Sequence, residues 1–316
     1  MKAIKRILYT VAEILFVLGS VKLGIYAKEI DREAFFENSD ENRFPQTIVH
    51  YVVTDFLQMP LPDGKKEKKV LVMGYDGFRE YGLWNILDDP FSSVCMVSKE
   101  GGLYHTYAGG DEKWRQETTT SPGWASILTG QWSNFTAVES SDDVKNDMAK
   151  TFLMDASQKG ISSAFICSWK EHFSVTYKND IAFVKQNNLP LQFFLEEGDN
   201  KTYACLLQLV EKNPGQIKKD EEDPDVIFFT LEMTDLAGHQ SGYGNQNPFY
   251  RDACTIADAC GRNIIQKIMD RETYEQEEWL IIITTDHGGI GNTHGGQTDE
   301  ERNTWMAVNR KIKIDS

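Results

Sequence analysis

Four short runs of apolar, β-prone residues recur along the chain: KVLVMGY (69–75), SSAFICS (162–168), DVIFFTLEM (225–233) and EWLIIITTD (278–286). Each is continuous rather than alternating and too short for a buried helix, so each predicts a strand covered on both faces, as in a parallel sheet. Between them, helix-like stretches fall at 123–129, 146–159, 201–212 and 249–271. Strands that alternate with helices of this length predict an α/β fold, a three-layer sandwich whose mostly parallel central sheet is flanked by helices. Upstream, a further helix is expected over 45–58, and PLPDGKKEKK (60–69) follows it as a surface connection into the first strand. The expected organisation is an apolar N-terminal helix (1–30), a helical and linking segment (31–68) and a catalytic domain (69–316).

The N-terminal pattern leaves two readings open. Residues 7–27 are apolar apart from Glu13 and Lys22, and they follow Lys2, Lys5 and Arg6. That is about the ~20 residues a bilayer-spanning helix needs, and the basic flank would stay in the cytoplasm. On this reading, which is preferred, the chain is membrane-anchored with its catalytic domain outside the cytoplasm. On the other, Thr10, Glu13 and Ser20 form the wet side of an amphipathic helix packed on a cytoplasmic protein.

Charge narrows the partners. With 33 basic against 48 acidic residues, a net −15, the chain lacks the cationic surface that a nucleic-acid polymer requires. If phosphate is the substrate, bound cations must attract it. The five cysteines (Cys95, Cys167, Cys205, Cys254, Cys260) are odd in number and lack CxxC spacing, so neither a disulfide framework nor a cysteine metal site is expected.

In open α/β sheets, ligands sit at the carboxyl ends of the strands, and there this sequence places aspartates. Asp76 ends the first predicted strand, Asp235 follows the third by two residues, and Asp286 ends the fourth beside His287. TDLAGHQ puts His239 four residues after Asp235, one helical turn away on the same face. ITTDHGGIGNTHGG (283–296) adds His294 on a loop too rich in glycine to hold its own shape. Carboxylates and imidazoles mixed in this way suit zinc or manganese better than magnesium or calcium. These residues would serve two divalent metal ions. The remaining histidines, His50, His105 and His172, are assigned no role.

Two-metal phosphoryl transfer needs an attacking oxygen, and RQETTTSPGWASILTG (115–130) offers three threonines at the start of a predicted helix. A hydroxyl there meets unsatisfied N–H groups and the positive end of the helix dipole. The ordered set of Asp76, Thr-x-Pro at Thr120, Asp235-x-x-x-His239, Asp286-His287-Gly and a following His294-Gly resembles the alkaline phosphatase superfamily. Within it, the set is most similar to the type I phosphodiesterase/nucleotide pyrophosphatase branch, over roughly residues 69–308. The resemblance implies Thr120 as covalent nucleophile, with Thr119 its neighbouring alternative. It implies one metal on Asp76, Asp286 and His287 and a second on Asp235, His239 and His294, both zinc with manganese as the alternative. It also implies a small phosphate-ester substrate hydrolysed through a phospho-threonine.

The sequence departs from that family in three places. Ser121 stands where nucleotide-cleaving relatives carry an aromatic residue. No asparagine clearly matches the family's phosphate-binding one, although Asn134 and Asn146 lie downstream. The chain ends 22 residues after His294, where relatives commonly continue through another strand and helix, which suggests a shortened sheet edge or a reduced form. The expected function is therefore a phosphodiesterase or pyrophosphatase. A phosphomonoesterase or phosphonate hydrolase of the same superfamily, or a non-catalytic binding protein on the fold, is the alternative. Specificity is expected from loops 131–145, 171–200 and 240–250. A sulfatase is disfavoured because no Cys-x-Pro-x-Arg or Ser-x-Pro-x-Arg motif is present.

Overall fold

The computed structural model describes residues 32–140, 150–211 and 223–312. It divides into two compact units, Met1–Phe35 and Phe36–Ser316. Of the first, the described residues form a single 3-10 turn, Arg32–Phe35. Residues 7–27, for which a membrane anchor is expected, lie outside the described residues. Among the described residues no helix is long and apolar enough to cross a membrane.

The second unit opens with β1 (Phe44–Pro45) and α1 (Ile48–Gln58), then β2 (Glu67–Tyr75), α2 (Ser93–Ser98), β3 (Gly102–Tyr107) and α3 (Thr120–Thr129). It continues with α4 (Phe152–Gln158), β4 (Ser163–Cys167), α5 (Lys178–Asn187), β5 (Leu191–Leu195), α6 (Asp199–Val210) and β6 (Val226–Leu231). The last elements are α7 (Met233–Ser241), α8 (Pro248–Met269), β7 (Glu277–Thr284) and β8 (Asn303–Val308). One eight-stranded sheet has the order β1-β3-β8-β7-β2-β6-β4-β5. All pairings are parallel except those of β8, which runs antiparallel to both β7 and β3.

The continuous apolar strands behave as buried parallel strands must. Along β2, Leu71, Met73 and Tyr75 enter one core with α2, α6 and α8. Val70 and Val72 enter a second core with α1, α3, α4 and α5 on the opposite face, because successive side chains point to opposite sides of the pleat. The four predicted strands are all present, and the sandwich is as expected.

β8 continues the chain after His294 and lies inside the sheet, between β7 and β3. Two expectations need correction. The stretch 171–200 is not a loop: it holds a π-helical turn at His172–Thr176, then α5 and β5. The helix expected from residue 123 starts at Thr120, three residues earlier, which puts the threonine inside the first turn.

Candidate active site

The carboxyl ends of β2, β6 and β7, three adjacent strands, deliver the aspartates. Asp76 follows β2 directly, Asp235 lies in the first turn of α7 just after β6, and Asp286 follows β7 by two residues. Two glycines let these ends approach. Gly77 adopts φ +62°, and a Cβ there would lie 2.6 Å from Asp235 Oδ1. A Cβ on Gly123 would lie 2.8 Å from Asp286 Cβ, so the first turn of α3 presses against Asp286 as only glycine permits.

Two clusters form. Asp76, Asp286 and His287 present ligand atoms within 4.8 Å of one another, as do Asp235, His287 and His294. In the inner cluster His287 Nε2 lies 3.5 Å from Asp76 Oδ1 and 3.3 Å from Asp286 Oδ2, and all three side chains are fully buried. In the outer one, Asp235 Oδ2 lies 3.3 Å from His239 Nε2, and Asp235 Oδ1 lies 3.6 Å from His294 Nε2. The His287 and His294 rings stack at 4.0 Å between centroids, joining the two clusters. All six residues singled out in the sequence thus converge, with His239 on the exposed side.

The tautomers are set by carbonyls. His287 Nδ1 donates to Gly288 O at 2.7 Å, His294 Nδ1 to Thr118 O at 2.9 Å and His239 Nδ1 to Asn292 O at 3.0 Å. A carbonyl only accepts, so each Nδ1 carries a proton; burial lowers the pKa of His287 and His294, whose neutral rings turn an Nε2 lone pair into the site, the arrangement of metal-binding imidazoles, whereas contact with Asp235 raises that of His239. The Nε2 atoms of His239 and His294 are 3.0 Å apart. Two lone pairs at that distance repel unless a proton or a cation lies against them.

The polar accounting tests whether cations fit. Asp76 Oδ1, Asp286 Oδ2 and His287 Nε2 are buried and have no hydrogen-bond partner. Orphaned buried acceptors are rare and costly, and here three point at one another. Burial, then the charges of neighbouring acids, pushes the Asp76 and Asp286 carboxyls well above the usual range. Burial pulls His287 down to about 3, leaving it neutral. Burial also opposes ionisation of Asp235, but its contact with His239 wins and holds it at about 2. Buried oxygen and imidazole donors without partners fit a divalent cation, which would take the place of the protons that the raised carboxyls keep.

Several supporting residues carry no sequence signal of their own. Trp124 Nε1–H donates to Asp76 Oδ2 at 2.9 Å, and Gly77 N–H donates to Asp286 Oδ1 at 3.1 Å. The Tyr243 hydroxyl donates to Asp235 Oδ1. Trp124 lies one turn beyond Thr120 on α3, so the same helix that carries the threonines also orients an inner carboxylate. A tryptophan four residues after Thr120 reads in sequence as ordinary core.

Among the hydroxyls near the start of α3, two are engaged. Thr118 Oγ1 donates to Gly296 O at 2.8 Å, and Ser121 Oγ shares a hydrogen bond of 2.7 Å with Thr176 Oγ1. Thr119 is the N-cap residue and makes no capping bond; its Oγ1 is buried and unpartnered. Thr120 follows it in the first turn and keeps 8% of its surface exposed. Ser121 is fully buried, so it cannot offer a substrate the surface that an aromatic residue would. Asn134 is exposed, on the single turn Ser133–Thr136; Asn146 lies outside the described residues.

The three unassigned histidines lie elsewhere. His50 Nδ1 meets Leu128 O at 2.9 Å, His105 Nδ1 meets Glu80 Oε2 at 2.9 Å, and His172 is buried among Phe165, Trp169 and Tyr177.

The chain matches the family model for type I phosphodiesterase / nucleotide pyrophosphatase over residues 134–315, more than half of its 316 residues. The matched part holds Asp235, His239, Asp286, His287 and His294, while Asp76 and Thr120 precede it. No curated protein matches the chain in sequence. Among solved structures, the chain is similar to murine ectonucleotide pyrophosphatase / phosphodiesterase 5, at 18% identity and TM-score 0.50 over 70% of this chain and 57% of that one. An inactive form of that murine protein in complex with AMP gives 17% identity and TM-score 0.51 over the same shares, 70% and 57%. A 2-O GAG sulfatase gives 9% identity and TM-score 0.50 over 78% of this chain and 64% of that one. The chain therefore spans 57% of the length of the first of these structures, and at such identities the likeness is one of fold.

Proposed function

The chain belongs to the type I phosphodiesterase / nucleotide pyrophosphatase family, and on that premise we propose that it is a two-metal hydrolase of phosphate diesters and related phosphate esters, with Thr120 as its nucleophile. The observation that carries this reading is the set of unpartnered, buried Asp76 Oδ1, Asp286 Oδ2 and His287 Nε2, packed against the helix whose first turn holds Thr120. Asp76, Asp286 and His287 would hold one ion, and Asp235, His239 and His294 the other, with zinc favoured over manganese by the imidazole share. Bound divalent cations supply positive charge that lowers the pKa of a nearby hydroxyl and neutralises phosphoryl oxygens.

The remaining steps belong to the chain. Thr120 Oγ1 gives up its proton to solvent and forms a bond to phosphorus while the bond from phosphorus to the leaving oxygen breaks and that oxygen takes up a proton from solvent, giving a phospho-threonine. The N–H groups of the first turn of α3 face the anionic phosphoryl group with the positive end of the helix dipole. Trp124 fixes the Asp76 carboxylate from below, and the carbonyls of Gly288, Asn292 and Thr118 hold the imidazoles in one tautomer. Water then cleaves the bond between phosphorus and Thr120 Oγ1. Two in-line displacements give net retention at phosphorus.

The test pairs Thr120→Ala with Thr119→Ala. Metal content by elemental analysis should be unchanged in both, while turnover of bis(p-nitrophenyl) phosphate is lost in Thr120→Ala and kept in Thr119→Ala. Full turnover by Thr120→Ala would remove Thr120 from the mechanism. Absence of metal after supplementation would remove the hydrolase reading.

A further inference from the structure

The mechanism makes no use of two arginines on the rim of the same site. Arg115 Nη1 donates to Gln297 Oε1 at 2.7 Å, and Arg302 Nη1 donates to that same oxygen. Arg302 also donates to Gly109 O at 3.3 Å and to Gly110 O at 2.8 Å. Every one of these acceptors is neutral. In a chain of net charge −15, two guanidiniums drawn together on one amide oxygen concentrate positive charge, which the Tyr107 ring under Arg302 at 5.7 Å and the charge of Asp299 offset only in part. Burial, followed by the charge of Arg115, lowers the Arg302 pKa from its ordinary value. An arginine fork is built to grip an oxyanion through two parallel N–H bonds, and an oxyanion here would relieve the repulsion.

The pair is tied to the reaction centre by a short ladder. Gln297 Nε2 donates to Gln116 O at 2.7 Å, Thr118 Oγ1 to Gly296 O at 2.8 Å, and His294 Nδ1 to Thr118 O at 2.9 Å. Residues 115–118 therefore run beside 294–297, with the arginines at one end and an outer metal-ligand candidate at the other. Three residues of extended chain, about 10 Å, separate Arg115 from Thr118, a span comparable with the length of an arginine side chain plus a phosphate. Trp114, 44% exposed, precedes Arg115 in the chain.

We propose that Arg115 and Arg302, joined through Gln297, form an oxyanion subsite that takes a second phosphate group of the substrate, outside the centre that holds the scissile one. The proposal rests on the hydrolase reading only for what that phosphate is attached to. A single-phosphate diester would leave the subsite unused, whereas a polyphosphate would engage it.

The experiment uses the metal-loaded full chain as wild type and as Arg115→Gln, whose exposed side chain contacts only Gln297 among the described hydrogen bonds. Arg302→Gln is a second variant, because it also removes bonds to the 109–110 backbone. Calorimetric titration with α,β-methylene-ATP should show about tenfold weaker binding in Arg115→Gln, the loss expected for one charge-assisted contact, while adenosine binds both proteins alike. The KM for ATP should rise by a similar factor, and the KM for bis(p-nitrophenyl) phosphate should move by less than about twofold. Unchanged analogue binding in both variants, or an equal rise in both KM values, overturns the subsite. If neither ester is turned over but Arg115→Gln still weakens the analogue, the subsite stands and the hydrolase reading falls.

Discussion

The two ends of β2 and β7 bury charge in opposite ways. At the amino end, Lys69 Nζ donates to Asp225 Oδ1 at 2.8 Å and pairs with Asp223 at 3.3 Å. Arg271 donates to Asp223 at 2.8 Å and to Glu277 at 2.7 Å, and also to the carbonyl of Val210. Trp279 Nε1–H completes Glu277 at 2.8 Å. Each charge there faces its opposite, and the Glu277 carboxyl is held below its ordinary pKa, its bonds to Arg271, Thr273 and Trp279 outweighing burial. At the carboxyl end, Asp76 and Asp286 lie in one cluster, and burial with the charges of neighbouring acids pushes these two and Glu232 upward. Burial of charge alone does not mark a functional site, because the amino-end network is buried and serves the fold. Burial of like charges without partners does.

If one end reacts and the other only holds the sheet, substitutions at the two ends should separate activity from stability. The largest effect is expected at the reacting end, where Thr120→Ala lowers kcat/KM by on the order of a thousandfold or more with no change in the urea midpoint. A fall in stability instead would mean that Thr120 only supports the first turn of α3. At the other end, Arg271→Met leaves Glu277 and Asp223 without their partner and should cost about 3–5 kcal/mol in urea unfolding. The kcat of the folded fraction should stay as it was; a matching loss of kcat would show that the two ends are not independent.

Between these lies Asp76→Asn, which removes one of the mutually repelling carboxylates. The metal-free protein should gain about 1 kcal/mol, while the rise in Tm on adding zinc shrinks or disappears. A less stable metal-free variant would mean that Asp76 is already compensated. The smallest effect concerns Glu232, pushed up to about 8 by burial and then by Asp199 and Asp235. Its folded pKa lies above its ordinary 4.5, so in the folded metal-free protein it keeps a proton that the unfolded chain has lost. Stability then declines as pH rises from 4.5 towards about 8. Glu232→Gln should flatten that decline, read as urea midpoints across the window, and an unaltered slope would assign it to other groups.

Much of the site was legible before any coordinates. Asp286 and His287 stand out because a structural turn after an apolar strand has no use for histidine, and Asp235 and His239 because a helical turn puts positions four apart on one face. The threonine run stands out by its place before Pro122. Less legible were the residues that act through distance in space: Trp124, Tyr243, and the carbonyls of Thr118, Gly288 and Asn292 have side chains or backbone groups found everywhere in proteins. β3 and β5 escaped notice because GLYHTY and LQFFL are short and mixed. β8 escaped because NTWMAV follows a polar, glycine-rich loop and runs against its neighbours.

Local order settled the kinds of elements and the identity of the candidate ligands, since strand and helix periodicity and the chemistry of aspartate and histidine are properties of neighbours in the chain. Only the folded sheet decided that β2, β6 and β7 lie side by side, bringing Asp76 and Asp286, 210 positions apart, into one dry cluster. It alone left their oxygens without partners and drew Arg115 and Arg302 onto a single amide. Such juxtapositions depend on the order in which strands pair, and strand order follows from the packing of both cores against the whole sheet, which no short stretch of sequence encodes.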